Sequence, residues 1–213
     1  MSNDMSRGKL GRDDSLERRV DDLRREIDRS SMQLLAEKCG AEYHTVEDAS
    51  WLLMSFFDLR VKIPVTDLVV CDLLTDRPLP VAIQAVLLYY LRTADGTPHA
   101  GHWIAFADLP DGRFYNQAFQ GYTGDRLAKT FGDDLESFSG AAQRIGGSQI
   151  AYSDAGFVFH VLPRLAVAVV AYRGDEDFSP RYQLLFDSSA GHYLPTDVCA
   201  VLGSMLTQRL ILA

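Results

Sequence analysis

The chain has no run of 18 apolar residues, so no segment is expected to span a bilayer. Positive charge is also in short supply. There are 21 Lys and Arg against 29 Asp and Glu, a formal net charge of -8. Phosphate contacts need clustered Lys and Arg, so this balance argues against nucleic acid. It argues equally against an anionic membrane surface. The one basic stretch, "RRVDDLRR", is interrupted by acids. Cysteine is scarce, odd in number and widely spaced (Cys39, Cys71, Cys199), with no CxxC pair. Buried thiols in a reducing compartment are expected rather than a disulfide frame. The N-terminus, "MSNDMSRGKLGRDDSLERR", lacks the apolar core of a secretory signal, and a cytoplasmic location is the expectation. No GxxxxGK[ST] occurs, and no GxGxxG follows a strand, so nucleotide binding has no motif to rest on.

What is present suits a packed core. With 47% apolar and 23% charged residues over 213 positions, wholesale disorder is excluded and one domain is expected. Residues 1–13 read as a polar, frayed tail. From Asp14, with Glu17 at capping-box spacing, Leu16, Val20, Leu23, Ile27 and Leu34 recur at helical intervals. This predicts an amphipathic helix over 14–40, closed by Gly40, whose stripe either folds back on the domain or meets another chain.

Residues 41–213 then read as a single α+β domain. "VEDASWLLMSFFDL" suggests a helix from Thr45 or Val46, and "RVKIPVTDLVVCDLL" two short strands. "PLPVAIQAVLLYYLRTA" reads as a buried helix that stops at Asp95-Gly96. "GHWIAFADLPDGRFYNQAF" reads as a hairpin turning at Pro-Asp-Gly. Two short helices over 122–145, a meander of four strands from "QIAYSD" to "YQLLFD", and a helix from about Pro195 to Leu212 complete the order. The predicted architecture is an antiparallel sheet, hairpin plus C-terminal meander, packed with helices and led by the amphipathic N-terminal helix.

Polar groups concentrate in "RYQLLFDSSAGHYLPTDVCAVLG". Asp187, Ser188, Ser189 and His192 resemble the parts of a hydrolase, but the serines lack the sharp GxSxG context of a nucleophile. Asx and Ser turn chemistry is the expected use, with Leu194-Pro195-Thr196-Asp197 starting the last helix and placing an acid at its positive end. Acid–base catalysis, if present, would draw on Asp154, Glu176, Asp187 and His192. His99 and His102 have HxxH spacing, a weak alternative for a metal that His160 or His192 would have to complete; no metal is the main expectation. Asp175, Glu176 and Asp177 beside Arg173 and Arg181 read as a solvated turn. Aromatics crowd around the expected hairpin. His102, Trp103, Tyr115, His192 and Tyr193 form the candidate lip for a flat, aromatic ligand.

The order and spacing of "LLYYLRTADGTPHAGHWIAFADLPDGRFYNQAF", "LAKTFG", "LPRLAVAVVAYRGDEDF" and "LLFDSSAGHYLPTDVCAVLG" resemble a family of prokaryotic domains, domain of unknown function 3786, from about Tyr43 to the C-terminus. The resemblance implies a cytoplasmic single-domain protein of anaerobic bacteria and archaea, in the company of corrinoid or one-carbon enzymes. Some relatives carry a cysteine-rich iron–sulfur segment; this chain lacks it, so no cluster is expected. Two positions depart from the family pattern: Ser153 where glycine is common, and Asp197 where glutamate is common. The expected function is therefore a non-catalytic ligand-binding or accessory protein of anaerobic metabolism. Its cargo would be a corrinoid or other large cofactor such as a tetrapyrrole, or the enzyme that uses it. The alternatives are a small-molecule enzyme using carboxylate and histidine, and a protein–protein adaptor that binds a partner or itself through the 14–39 helix.

Overall fold

The computed structural model describes the backbone of residues 4–213 and side chains from residue 14 onward. Helix α1 (Asp4–Glu26) begins well ahead of the expected start at Asp14, since no proline interrupts these residues. Residues 1–3 of the expected tail lie outside the described residues. The helix also ends at Glu26 and does not run on to Gly40. Asp28 accepts both the amide and the hydroxyl of Ser30 at 2.9 Å, which closes a 3-10 turn over Arg29–Ser31. Helix α2 (Met32–Cys39) then restarts, and Gly40 ends it in the left-handed conformation with φ 69°. Val20, Leu23 and Ile27 are buried in the chain's own core, with α1 lying along α3 (Val81–Thr93). The stripe is thus covered in cis from Val20 to Ile27, while Leu34 on α2 is 51% exposed.

Four antiparallel strands follow in the order of the chain: β1 (Glu42–Val46), β2 (Ala49–Phe56), β3 (Leu59–Pro64) and β4 (Cys71–Asp72). The helix expected from Thr45 is therefore a hairpin. Burial alternates along β2, with Leu52, Met54 and Phe56 inside, and the Thr45 and Ser50 hydroxyls bond across the pair at 3.0 Å. "WLLMSFF" is apolar at both periods, and the β-branched and aromatic content around it decides for strand. The two short strands and the buried helix expected after it stand as β3, β4 and α3.

The second sheet takes β5 (Trp103–Ala105), β6 (Ser148–Ile150), β7 (Ala155–Leu162), β8 (Leu165–Tyr172) and β9 (Arg181–Asp187), all antiparallel, in the order β5-β9-β8-β7-β6. The C-terminal meander is as expected. The hairpin is not: after β5 the chain makes a 3-10 turn and enters helix α4 (Gly112–Tyr122). Pro110 and Asp111 do form a tight turn, with Asp111 at φ 58°, but Gly112 beyond it starts a helix. A Cβ on Gly112 would fall 2.0 Å from the Phe106 carbonyl oxygen, so only glycine fits this turn. Helices α5 (Gly124–Phe131) and α6 (Leu135–Arg144) precede the meander, and α7 (Thr196–Leu212) closes the chain.

Sheet alternation gives each face a different duty. Phe157, Val167, Val169, Leu184 and Phe186 join Phe119, Phe138, Leu202 and Leu206 of the helices in one continuous core that also reaches α1 and the first sheet. Their strand neighbours Ala168, Val170 and Leu185 form a second cluster with Trp103, Ala105, Ile150, Val158 and Tyr172, made of strand side chains. Burial on both faces explains why β8 reads as the unbroken apolar run "LAVAVVAY". Among the described residues, no helix is long and apolar enough to cross a membrane.

Helix α7 packs on α4 at Gly203, where a Cβ would meet the Phe119 ring at 2.8 Å and Leu184 at 3.2 Å. Helix propensity alone favours alanine there by ~1 kcal/mol, whereas overpacking costs about 1–3 kcal/mol. Gly203→Ala is therefore expected to lower stability by about 1 kcal/mol in urea unfolding. A variant as stable as the parent would mean that the Phe119 ring yields freely.

Candidate functional site

Asp187 ends β9 with 2% of its surface exposed, and every hydrogen bond it makes is to a turn. Oδ1 accepts the Ala100 amide (3.0 Å), the Ser189 amide (2.9 Å) and the Ser189 hydroxyl (2.6 Å); Oδ2 accepts the Gly101 amide (2.8 Å). The Ser188 amide adds a bond to the His102 carbonyl at 2.8 Å. Burial alone would raise the Asp187 pKa. The bonds from Ser189, Ala100 and Gly101 outweigh it and hold the carboxylate below its ordinary range. With four donors on a carboxylate that is almost wholly out of reach of solvent, Asp187 serves as an anchor of the 95–102 loop. Ser189 is consumed in the same anchor.

The neighbouring residues extend the clamp. Tyr193 is buried, its hydroxyl donates to the Thr97 carbonyl, and its ring stacks on Tyr90 with centroids 5.6 Å apart. His192 is half exposed; its Nδ1 lies 2.7 Å from Asp95 Oδ2 and 3.2 Å from the Thr97 hydroxyl. The bond to His192, with a further one from the Thr97 amide, lowers the Asp95 pKa to about 2. This leaves His192 Nε2 free on the surface. Asp95 was passed over in the sequence as a helix stop, and nothing local links it to a histidine 97 positions later.

The remaining candidates scatter. Asp154 accepts the Arg173 amide at 2.8 Å, and Glu176 stands in the exposed loop between β8 and β9. His99 stands edge-on to His160, ring centroids 6.2 Å apart, while His102 is exposed. Among the described residues, no three His, Cys, Asp or Glu side chains meet to hold a metal ion. All three cysteines are free and buried, and burial pushes Cys39 to about 11 and Cys199 to about 12, away from nucleophilic use. Trp103 belongs to the second cluster of the sheet, on the side opposite α4, so it does not meet Tyr115 in a common lip.

Tyr115 instead lines a groove between α4 and α7. Phe106, Tyr115, Ala118 and Tyr122 face Ala200, Val201 and Met205 across a volume of about 540 Å³. Asp197 and Ser204 are the polar members of the α7 wall. A second cleft of about 570 Å³ shares Tyr115 and Asp197 and continues over Pro110, Asp111, Leu194 and Pro195. The Thr196 hydroxyl donates to the Pro110 carbonyl at 2.7 Å, tying the start of α7 to the start of α4. Phe106 is held in place by Phe119, whose ring stacks on it at 4.0 Å between centroids. Val201 and Met205 were not singled out in the sequence, and Tyr122 counted only among the aromatics crowding the expected hairpin. The signal for Tyr122 was there: Tyr115, Phe119 and Tyr122 are spaced four and three apart, a helical period.

A family model described as Domain of unknown function (DUF3786) matches residues 31–209, most of the chain. The chain belongs to this family. No curated protein and no solved structure matches it. The two positions expected to depart from the DUF3786 pattern now have places. Ser153 holds φ 130°, a conformation that glycine reaches without strain, and its hydroxyl donates to the Ala155 carbonyl at 3.0 Å. Asp197 stands where the groove and the cleft of this DUF3786 chain meet.

Asp187→Asn keeps the shape of the anchor but turns an amide donor toward backbone N–H groups. The expected cost is about 2–3 kcal/mol in urea unfolding at pH 7. Because the folded pKa is lowered, the carboxylate contributes fully above the unfolded value near 4 and loses its contribution as the pH falls through the folded value. The difference between parent and variant should therefore shrink below about pH 4. A difference that stays constant from neutral to strongly acidic pH would take the carboxylate's charge out of the explanation.

Proposed function

We propose that this protein is a non-catalytic binding protein whose α4–α7 groove takes a largely apolar small molecule. The observation that carries the reading is the lining itself: three aromatic rings and a row of aliphatic side chains, with Asp197 the one carboxylate on the wall. Its volume of about 540 Å³ falls in the range of sites for drug-sized ligands. Neither an imidazole nor a thiol lines the groove or the cleft, so the metal of a corrinoid or other tetrapyrrole would find no such ligand there. An accessory role in anaerobic metabolism rests on the family resemblance. An adaptor role for the 14–39 segment would have to use Leu34, which is exposed, since Val20, Leu23 and Ile27 are buried in this chain.

A second reading, an acid–base enzyme, draws on the Asp95–His192 pair. A carboxylate on Nδ1 with Nε2 left free is the arrangement of a general base. Ser189 is not free to serve it as a nucleophile, since its hydroxyl is bonded to Asp187. Replacing His192 by Gln would abolish turnover under that reading and leave groove binding intact under the first.

The groove is tested with N-phenyl-1-naphthylamine, an uncharged probe that fluoresces in apolar surroundings. One probe per chain is expected. Ala118→Trp, at an exposed position of α4, should fill the groove and weaken probe binding at least tenfold, with a thermal midpoint close to that of the parent. Equal binding by parent and variant would place the probe elsewhere and remove the support for the reading.

A further inference from the structure

Resting on the groove reading above, we propose that the ligand is an organic cation: an ammonium group at Asp197 with an apolar body laid along Tyr115 and Tyr122. The charged side chains lining the groove and the adjoining cleft are Asp197 and Asp111; no Arg, Lys or His lines either. Among the described residues, neither carboxylate forms an ion pair. Asp197 stands exposed in the first turn of α7, where its Oδ1 accepts the Val198 amide at 3.0 Å. Asp58, Glu42 and Glu26, by contrast, are each met by an arginine within the fold.

Tyr115 is 64% exposed and Tyr122 36%, although both are large aromatics on a folded helix. Exposed aromatic faces beside an unpaired carboxylate attract a cation through the ring quadrupole and the charge together. An anion would meet two carboxylates and no donor of positive charge. A neutral ligand would leave Asp197 unpaired as the groove is desolvated, which costs affinity. The overall charge of -8 acts in the same direction at long range, raising the local concentration of cations. Two contiguous volumes of about 540 and 570 Å³ suit a small molecule with a tail.

The experiment is calorimetry with three probes of one skeleton: 4-phenylbutylamine, 4-phenylbutanol and 4-phenylbutyrate. The amine is expected to bind at least tenfold more tightly than the alcohol, and the carboxylate most weakly. Asp197→Asn should reduce the amine to the affinity of the alcohol while leaving the alcohol unchanged, and added salt should weaken the amine alone. Equal affinities for all three probes would overturn the cation assignment and keep the groove as an apolar site. Binding of N-phenyl-1-naphthylamine with no binding of the amine would do the same. If neither the uncharged probe nor any of the three binds, the groove reading itself falls. Tight binding of a lysine-rich amphipathic peptide with no binding of the amine would give the groove to a protein partner and overturn the small-molecule proposal.

Discussion

A carboxylate removed from water needs hydrogen bonds to replace those it gives up, and the four that Asp187 receives come from two separate turns. Two of its donors belong to the loop before β5 and two to the turn after β9. The bond therefore does for the loops what the ladder does for the strands. It fixes the 98–102 segment against the end of the sheet. It also holds the turn from Ser188 to His192 so that Tyr193 enters the core beneath Thr97 and His192 reaches Asp95. The position of Thr196 follows, and with it the first turn of α7 and the place of Asp197.

The groove is the second product of the same arrangement. Its α4 wall is set by Gly112, which alone fits against the Phe106 carbonyl, and its α7 wall by Gly203, which lets the helix close on Phe119. Both walls rest on rings that belong to the core: Phe106, Phe119 and Phe186 pack as one group. The exposed side chains Tyr115, Ala118 and Val201 line the groove without joining that ring group, whereas Phe106 and Tyr122, which stands edge-on to Phe119 at 5.7 Å, serve both the packing and the groove wall.

Much of the architecture was legible in the residues. α3, α6 and α7 declared themselves by apolar content bounded by proline, glycine and acid, and the meander by β-branched runs between turns. Misreadings came where one stretch satisfies two periods. "WLLMSFF" supports either element until its partner strands are known, and Pro-Asp-Gly serves a helix start as well as a hairpin turn. The misreading of α4 also hid the groove, because Tyr115, Ala118 and Tyr122 share a face only on a helix. Of the site, the turn chemistry of Asp187 and Ser189 was readable from their neighbours. The pairing of His192 with Asp95 was not, since it depends on β9 lying beside β5 and on no local pattern.

The Asp187 anchor joins positions that are 87 and 86 residues apart. On a ribosome that makes the chain from its N-terminus, the first sheet and α3 can pair and pack while the 95–102 loop still has nothing to close on. The loop order, the seat of Tyr193 and the start of α7 all arrive together, when the last strand docks. Until then the apolar faces of β5 and α4 are open to solvent, so late synthesis is the interval in which this chain is most exposed to aggregation.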